Sequence, residues 1–250
     1  MKLKSLLSIV FYICLVPNMH GQILPAQYGV YSPSRPVSNL SGLVLHLDAG
    51  NTSSYPGTGT TWTDLSGNGY NGTLTNGATF NNGNGGSMAF DGTDDVVSFG
   101  NILNIGLSSW TLSCWVKLNS GSGFSGIIGK TSYRAYDGRY SFFVEGGLIH
   151  AFFQPNVNQD ITTPVAPYVD NNFHNLVMTI NRSSMMYFYI DGISVGTPIN
   201  VSSSSSSNLN SSTDNFYIGS YGSSNKKVEF DFNRDKIRIN TNPLDGQRQT

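Results

Sequence analysis

The sequence predicts an all-β protein, a two-sheet antiparallel jelly-roll sandwich, and three observations carry that expectation. Short runs of alternating apolar and polar residues recur along most of the chain, the pattern of strands with one buried face. Turn residues punctuate these runs: there are 28 glycines, and Asn-Gly pairs repeat at Asn68-Gly69, Asn71-Gly72 and Asn76-Gly77. No stretch keeps a helical period for three turns. Only 12% of the residues are charged, about half the roughly 25% of an ordinary domain, and Ser, Thr and Asn fill the polar positions instead.

Taken in order, residues 1–21 read as a secretory signal peptide. Lys2 and Lys4 supply the positive start, and residues 6–16, LLSIVFYICLV, form an apolar run too short to span a bilayer. Cleavage after Gly21 leaves an exported chain. Cys14 lies inside the leader, so Cys114 stands alone and the mature protein has no intrachain disulfide. Export without disulfides points to a bacterial source. Bulky Phe11, Tyr12 and Ile13 before Cys14 argue against a lipid anchor there. Residues 22–40, with three prolines and no period, read as a linker or lead-in strand. The domain itself is expected over 41–245, with a tail at 246–250.

Strands are expected at 43–49, 86–92, 95–100, 110–118, 125–131, 139–146, 148–154, 174–181, 185–192, 215–220, 228–232 and 236–240. In the run at 110–118, WTLSCWVKL, alternation puts Trp110, Leu112, Cys114, Val116 and Leu118 on one face. Cys114 is then a small buried hydrophobe rather than a reactive thiol. The serines at 202–207 read as a flexible surface loop.

Two function classes fall away. The formal net charge is -1 and no basic run occurs, which excludes nucleic acid and anionic membrane surfaces as partners on electrostatic grounds. Gly67, Gly69 and Gly72 spell the dinucleotide-binding fingerprint G-x-G-x-x-G. That motif works only between a buried strand and a helix start. Here a polar stretch precedes it and the alternating TLTNGATF follows, so its glycines are turn residues. No stretch after the leader is long and apolar enough for a membrane-spanning helix.

Several stretches together resemble one family. WTLSCWVK (110–117), FHNLVMTINRSSMMYFYIDG (173–192) and FYIGS (216–220) are similar to the laminin-G-like domains of the concanavalin A-like lectin and glucanase superfamily. LVLHLDAGN, WTDLSGNGYNGTL and FDGTDDVVSFG look like its N-terminal half, and DKIRINTNPL (235–244) like its closing strand. The glycine expected just before that strand is missing. The resemblance implies a jelly roll of two curved sheets and covers about residues 41–245.

The superfamily contains hydrolases and lyases, so catalysis has to be weighed. Retaining glycoside hydrolysis needs two carboxylates about 5 to 5.5 Å apart, which on a strand means acids two positions apart. Glu229 and Asp231 have that spacing but lie among Lys226, Lys227 and Arg234, and read as a solvated edge strand. The resemblance also implies that a lyase would use His and Tyr with Arg and Gln; LIHAFFQ places His150 and Gln154 on one face, without a further supporting motif. His174 matches the family's structural His, and His46 is expected on a solvent or inter-loop face. A non-catalytic binding module for carbohydrate is therefore the leading expectation, with a structural or adhesive protein-binding module as the alternative and a polysaccharide-cleaving enzyme of the same fold ranked behind both. The ligand-binding loop is expected at 131–140, where Tyr133, Arg134, Tyr136, Asp137 and Arg139 offer stacking faces and hydrogen bonds to sugar hydroxyls. The resemblance further implies a structural calcium ion, with Asp235 on the closing strand and the turn at Asp91 as ligands.

Overall fold

The computed structural model describes residues 42–119, 123–131, 139–156, 158–164, 168–210, 213–220, 229–233 and 237–240. Alternation and turns produce the strands β1 (Leu43–Leu47), β2 (Thr61–Trp62), β3 (Gly72–Thr75), β4 (Thr79–Asn81), β5 (Ser87–Asp91) and β6 (Val96–Ser98). The long central strands follow: β7 (Trp110–Leu118), β8 (Phe124–Thr131), β9 (Arg139–Glu145), β10 (Leu148–Gln154), β11 (Gln159–Thr162) and β12 (Phe173–Ile180). The last are β13 (Met185–Ile190), β14 (Ile193–Asn200), β15 (Asn215–Ile218), β16 (Glu229–Asn233) and β17 (Ile237–Asn240). Helical structure among these residues is limited to two single 3-10 turns, at Gly83–Gly85 and Ser202–Ser204.

The strands form two antiparallel sheets. One has nine strands in the order β14-β13-β12-β7-β16-β5-β4, with β17 paired to both β1 and β7. The other has eight, in the order β11-β10-β9-β8-β15-β6-β3-β2. The inward faces meet in one core. Trp110, on the nine-stranded sheet, lies 4.6 Å from Tyr140 and 6.1 Å from Phe153 on the other, measured between ring centroids. Phe142 and Phe188 make a second bridge at 5.6 Å. Cys114 is buried among these side chains, and its burial holds the thiol above its ordinary range.

The G-x-G-x-x-G stretch is turn structure. Gly67 and Gly69 have φ of 92° and 75°, values that a side chain disfavours. Gly72 begins β3, against Val97 and Phe99.

Two expectations need correction. Glu229 and Asp231 do not lie on an edge strand, because β16 pairs with β5 on one side and β7 on the other. Of the two faces expected for His46, solvent or inter-loop, the structure gives the second: it is 3% exposed beside the loop at 64–68. The loop at 64–68 folds over β1, where Asp64 Oδ1 accepts the His46 N–H and Ser66 Oγ donates to the Val44 carbonyl. The serine run is tied down as well. The Arg182 guanidinium donates through Nη2 to the carbonyls of Ser204 and Ser207 and sits 5.2 Å over the Phe153 ring.

Candidate functional site

Because side chains alternate along a strand, the residues of β9 that do not enter the core share the outer face of the eight-stranded sheet. Tyr140, Phe142 and Val144 point inward, so Arg139, Ser141 and Phe143 point outward. On β10 the outward set is His150, Phe152 and Gln154. Register then builds a row across four strands: Tyr217 of β15 stands opposite Gly129 of β8, Gly129 opposite Ser141, and Ser141 opposite Phe152. The middle of this row is small and its two ends are aromatic.

Gly129 is required there. A Cβ at this position would lie 2.3 Å from the Tyr140 carbonyl oxygen and 2.4 Å from Ser141 Cβ. Beside this row, Arg139 pairs directly with Gln154. On the other side, His150 stacks on Phe143 at 4.4 Å with 9° between the planes, and its Nδ1 lies 2.8 Å from Asp160 Oδ2.

The polar atoms of this face are poorly satisfied. Arg139 is 9% exposed and Gln154 7% exposed, yet Arg139 Nε has no acceptor and Gln154 Oε1 no donor. Ser141, 1% exposed, also leaves its Oγ without a partner. Gln154 donates one N–H of Nε2 to Asn158 Oδ1 at 2.6 Å, while its Oε1 accepts nothing. Buried polar groups are normally bonded, and these three unpartnered atoms lie on neighbouring residues of one face.

Two further buried cations underlie the same end of the sandwich. Lys130, fully buried, donates from Nζ to Asn101 Oδ1 and to the carbonyls of Ile102 and Asp214, at 2.9, 2.8 and 2.8 Å. Burial draws its pKa down to about 8, against the opposing pull of Asp214. Arg182 is the other. A separate open groove of about 550 Å³ beside β4 has a neutral lining that includes Thr58, Phe80 and Asn82. None of the unpartnered buried atoms lies in it.

Of the residues expected to bind ligand, Tyr133, Arg134, Tyr136 and Asp137 lie outside the described residues, and Arg139 is placed at the start of β9. His150 and Gln154 do share a face. His174 is structural: Asp191 and Asp170 hold its two nitrogens at 2.7 and 3.1 Å. Burial lowers its pKa, but the bonds to Asp191 and Asp170 outweigh that and leave it raised. Tyr217, Gly129 and Ser141 escaped notice in the sequence, since only register assembles them.

Of the expected calcium ligands, Asp235 lies outside the described residues and Asp91 ends β5. Asp91 is joined by Asp94 and Asp95, with one carboxylate oxygen of each within 4.8 Å of the others. Asp95 is 3% exposed; its Oδ2 accepts the Asp91 N–H at 2.8 Å while its Oδ1 has no donor. Burial raises its pKa, the Asp91 amide opposes this, and the Asp91 charge adds to it. Three hard oxygen donors, one of them buried and unsatisfied, fit a calcium ion.

The two packed antiparallel sheets define the class, a jelly-roll sandwich. Residues 91–248, well over half of the chain, match the laminin-G family described as the concanavalin A-like lectin/glucanases superfamily. The chain belongs to that family. Among solved structures, the binding domain of Paraclostridial Mosquitocidal Protein 1 superposes with a TM-score of 0.63 at 15% identity, over 82% of this chain and 50% of that one. The binding domain of botulinum neurotoxin DC in complex with SialylT gives 0.61 at 17% identity, covering 82% and 49%. The same toxin domain in complex with rat synaptotagmin II gives 0.59 at 18% identity, with the same coverage. This chain thus spans about half the length of those structures, and at such identities the likeness is one of fold. A comparison with curated protein sequences finds no match.

Proposed function

We propose that the protein is an exported, non-catalytic carbohydrate-binding module that holds its ligand on the outer face of the eight-stranded sheet. One observation carries the reading: a floor of Gly129 and Ser141 between Tyr217 and Phe152, bordered by the unsatisfied polar atoms of Arg139 and Gln154. Aromatic faces take the apolar side of a pyranose, and the unsatisfied donors and acceptors take its hydroxyls. The jelly-roll fold and the toxin binding domains that share it are compatible with a binding role. Export rests on the N-terminal leader pattern; among the described residues no helix is long and apolar enough to cross a membrane.

A calcium ion held by Asp91, Asp94 and Asp95 would neutralise the acidic turn at the opposite end of the sandwich, with a structural rather than a ligand-binding role.

Glycan-array profiling of the exported chain tests the function. Binding to a defined glycan class is expected, with Tyr217→Ala weakening it about tenfold or more, the usual loss when an anchoring aromatic is truncated. Tyr133→Ala and Tyr136→Ala test whether the loop singled out in the sequence shares the contact. A profile without any glycan, from folded protein, would exclude the reading.

A further inference from the structure

Alternation turns Lys130 into the core. It stands opposite Tyr140 on β9 and Phe216 on β15, both core residues, and is itself completely buried. Its ammonium emerges at the end of the sandwich, between the loop that follows β6 and the residue that precedes β15. We infer that Lys130 Nζ and the side-chain amide of Asn101 condense to an intramolecular isopeptide bond, with loss of ammonia.

Register builds the pair. β15 lies between β6 and β8. On one side Phe216 exchanges backbone hydrogen bonds with Phe99 and Gly100, and on the other it faces Lys130. Asn101, 29 residues away in sequence, is thereby brought against the lysine, and Nζ donates to its Oδ1 at 2.9 Å. The carboxamide carbon is one C=O bond, about 1.2 Å, beyond that oxygen. The loop is pinned in place: the Tyr140 hydroxyl donates to the Leu103 carbonyl at 2.9 Å, and the Ile102 N–H to the Gly100 carbonyl at 3.0 Å. Two groups held in this way react without the entropic cost of meeting.

The surroundings favour this acceptor over its neighbours. Nζ also donates to the backbone carbonyls of Ile102 and Asp214, but attack there would sever the chain. Attack on the Asn101 carboxamide expels only ammonia. The same Oδ1 accepts an N–H from Asn104 Nδ2 at 2.9 Å, a donor placed where negative charge develops as the carbon becomes tetrahedral. Asn101 is exposed, which gives the leaving group a way out. A buried ammonium is costly, and the product is a neutral amide.

The nucleophile must be the amine. Burial lowers the Lys130 pKa to about 8 against the opposing pull of Asp214, so part of the population is amine at neutral pH. Asp214, 1% exposed, is the described carboxylate whose charge acts on the lysine, and it takes the ammonium proton. Nζ then bonds to Asn101 Cγ, and the bond from Cγ to Nδ2 breaks. Both protons that Nζ gives up end on the departing nitrogen, one of them carried by Asp214. The nitrogen leaves as ammonium, Asp214 is again a carboxylate, and no oxidant or further reactant is needed. The bond ties β8 to the connection between β6 and β7, in a structure whose described cysteine, Cys114, is buried and unpaired.

The test is intact-mass spectrometry of the folded full chain after incubation at pH 8, beside Asn101→Ala. The substitution is at an exposed position and leaves the core untouched. The parent should fall short of its sequence mass by one ammonia more than the variant does; ammonia lost at the N-terminus or at Asn-Gly turns would be equal in the two. Tandem mass spectrometry of a digest should find one branched peptide joining Lys130 to Asn101. Lys130→Arg should lack it as well. The parent should melt roughly 7 to 14 °C above Asn101→Ala, the difference expected from closing a loop of this length. Asp214→Asn should form the bond at least about tenfold more slowly, the usual loss when a positioned proton carrier is removed, and an unchanged rate would overturn its role. An equal mass deficit in parent and Asn101→Ala would overturn the inference. So would Lys130 and Asn101 recovered unmodified in separate peptides.

Discussion

Trp110→Ala is the sharpest test of the fold, because the structure fixes both its magnitude and a control. Trp110 is completely buried at the start of β7, with Tyr140 and Phe153 of the opposite sheet against its ring. Truncation removes a large apolar body and both aromatic contacts, so the loss should be about 3 to 5 kcal/mol. The indole nitrogen has no hydrogen-bond partner. Trp110→Phe therefore breaks no bond and removes an unsatisfied donor, which offsets part of the lost volume; its cost should stay below about 1.5 kcal/mol. For a domain of this size each kcal/mol moves Tm by roughly 2 to 4 °C, which puts the alanine variant some 6 to 20 °C below the parent. Urea unfolding followed by circular dichroism, with the m-value checked for constancy, measures both variants. An alanine cost below about 1 kcal/mol, or a phenylalanine cost equal to the alanine cost, would refute the inter-sheet placement of Trp110.

Two other perturbations reach outside the core. The raised pKa of His174, held by Asp191 and Asp170, means that its stabilisation is complete below the ordinary imidazole value of about 6.5 and is lost as pH rises through the folded value. Tm measured from pH 5 to 9 should show the gap between the parent and His174→Gln closing toward the alkaline end, and a gap constant with pH would contradict the network. Calcium at a hundredfold excess over its Kd should add about 2.7 kcal/mol, so chelation should lower Tm by roughly 5 to 10 °C. Asp95→Asn should abolish most of that sensitivity, and a melting curve indifferent to chelator and calcium would exclude the ion.

What the sequence disclosed of the fold follows burial. β7 and β10 have the bounds that alternation gave, because each is paired on both sides and buries a full apolar face. The strands that alternation missed are β2, β3, β4, β11 and β14. Four of these, β2, β4, β11 and β14, are the outer strands of the two sheets. An edge strand has one neighbour, buries less, and is kept short or polar to discourage further pairing. β14 shows the device openly: it carries Pro198 and Gly196, the latter at φ of 66°, beside a register shift against β13. The site was legible only in fragments. His150 and Gln154 could be placed on one face because they share a strand, but Tyr217 reaches that face through two intervening strands, and nothing local in the sequence records their register.

The burial of β9 also bears on why this face is the one to test. A strand with one solvated face should alternate between buried and exposed residues. In β9, every residue from Arg139 to Val144 is buried, the outward ones included. The matching outward residues of β10, Phe152 and Gln154, are buried too. Alternation persists along β12 and β13, where outward residues stay partly exposed, whereas β7 over Trp110–Cys114 and β8 beyond Phe124 are buried on both faces as well. Covering a sheet face gains stability only if apolar groups fill it. Here Arg139, Ser141 and Gln154 occupy the covered positions and leave hydrogen-bonding capacity unused, against the interest of the folded chain alone. Departures of this kind from consistent packing concentrate at functional sites. The same reasoning separates this face from the Lys130 site at the same end, where all three ammonium hydrogens have acceptors. Lys130 completes its own bonding within the protein, whereas Arg139 Nε and Gln154 Oε1 find no partner there.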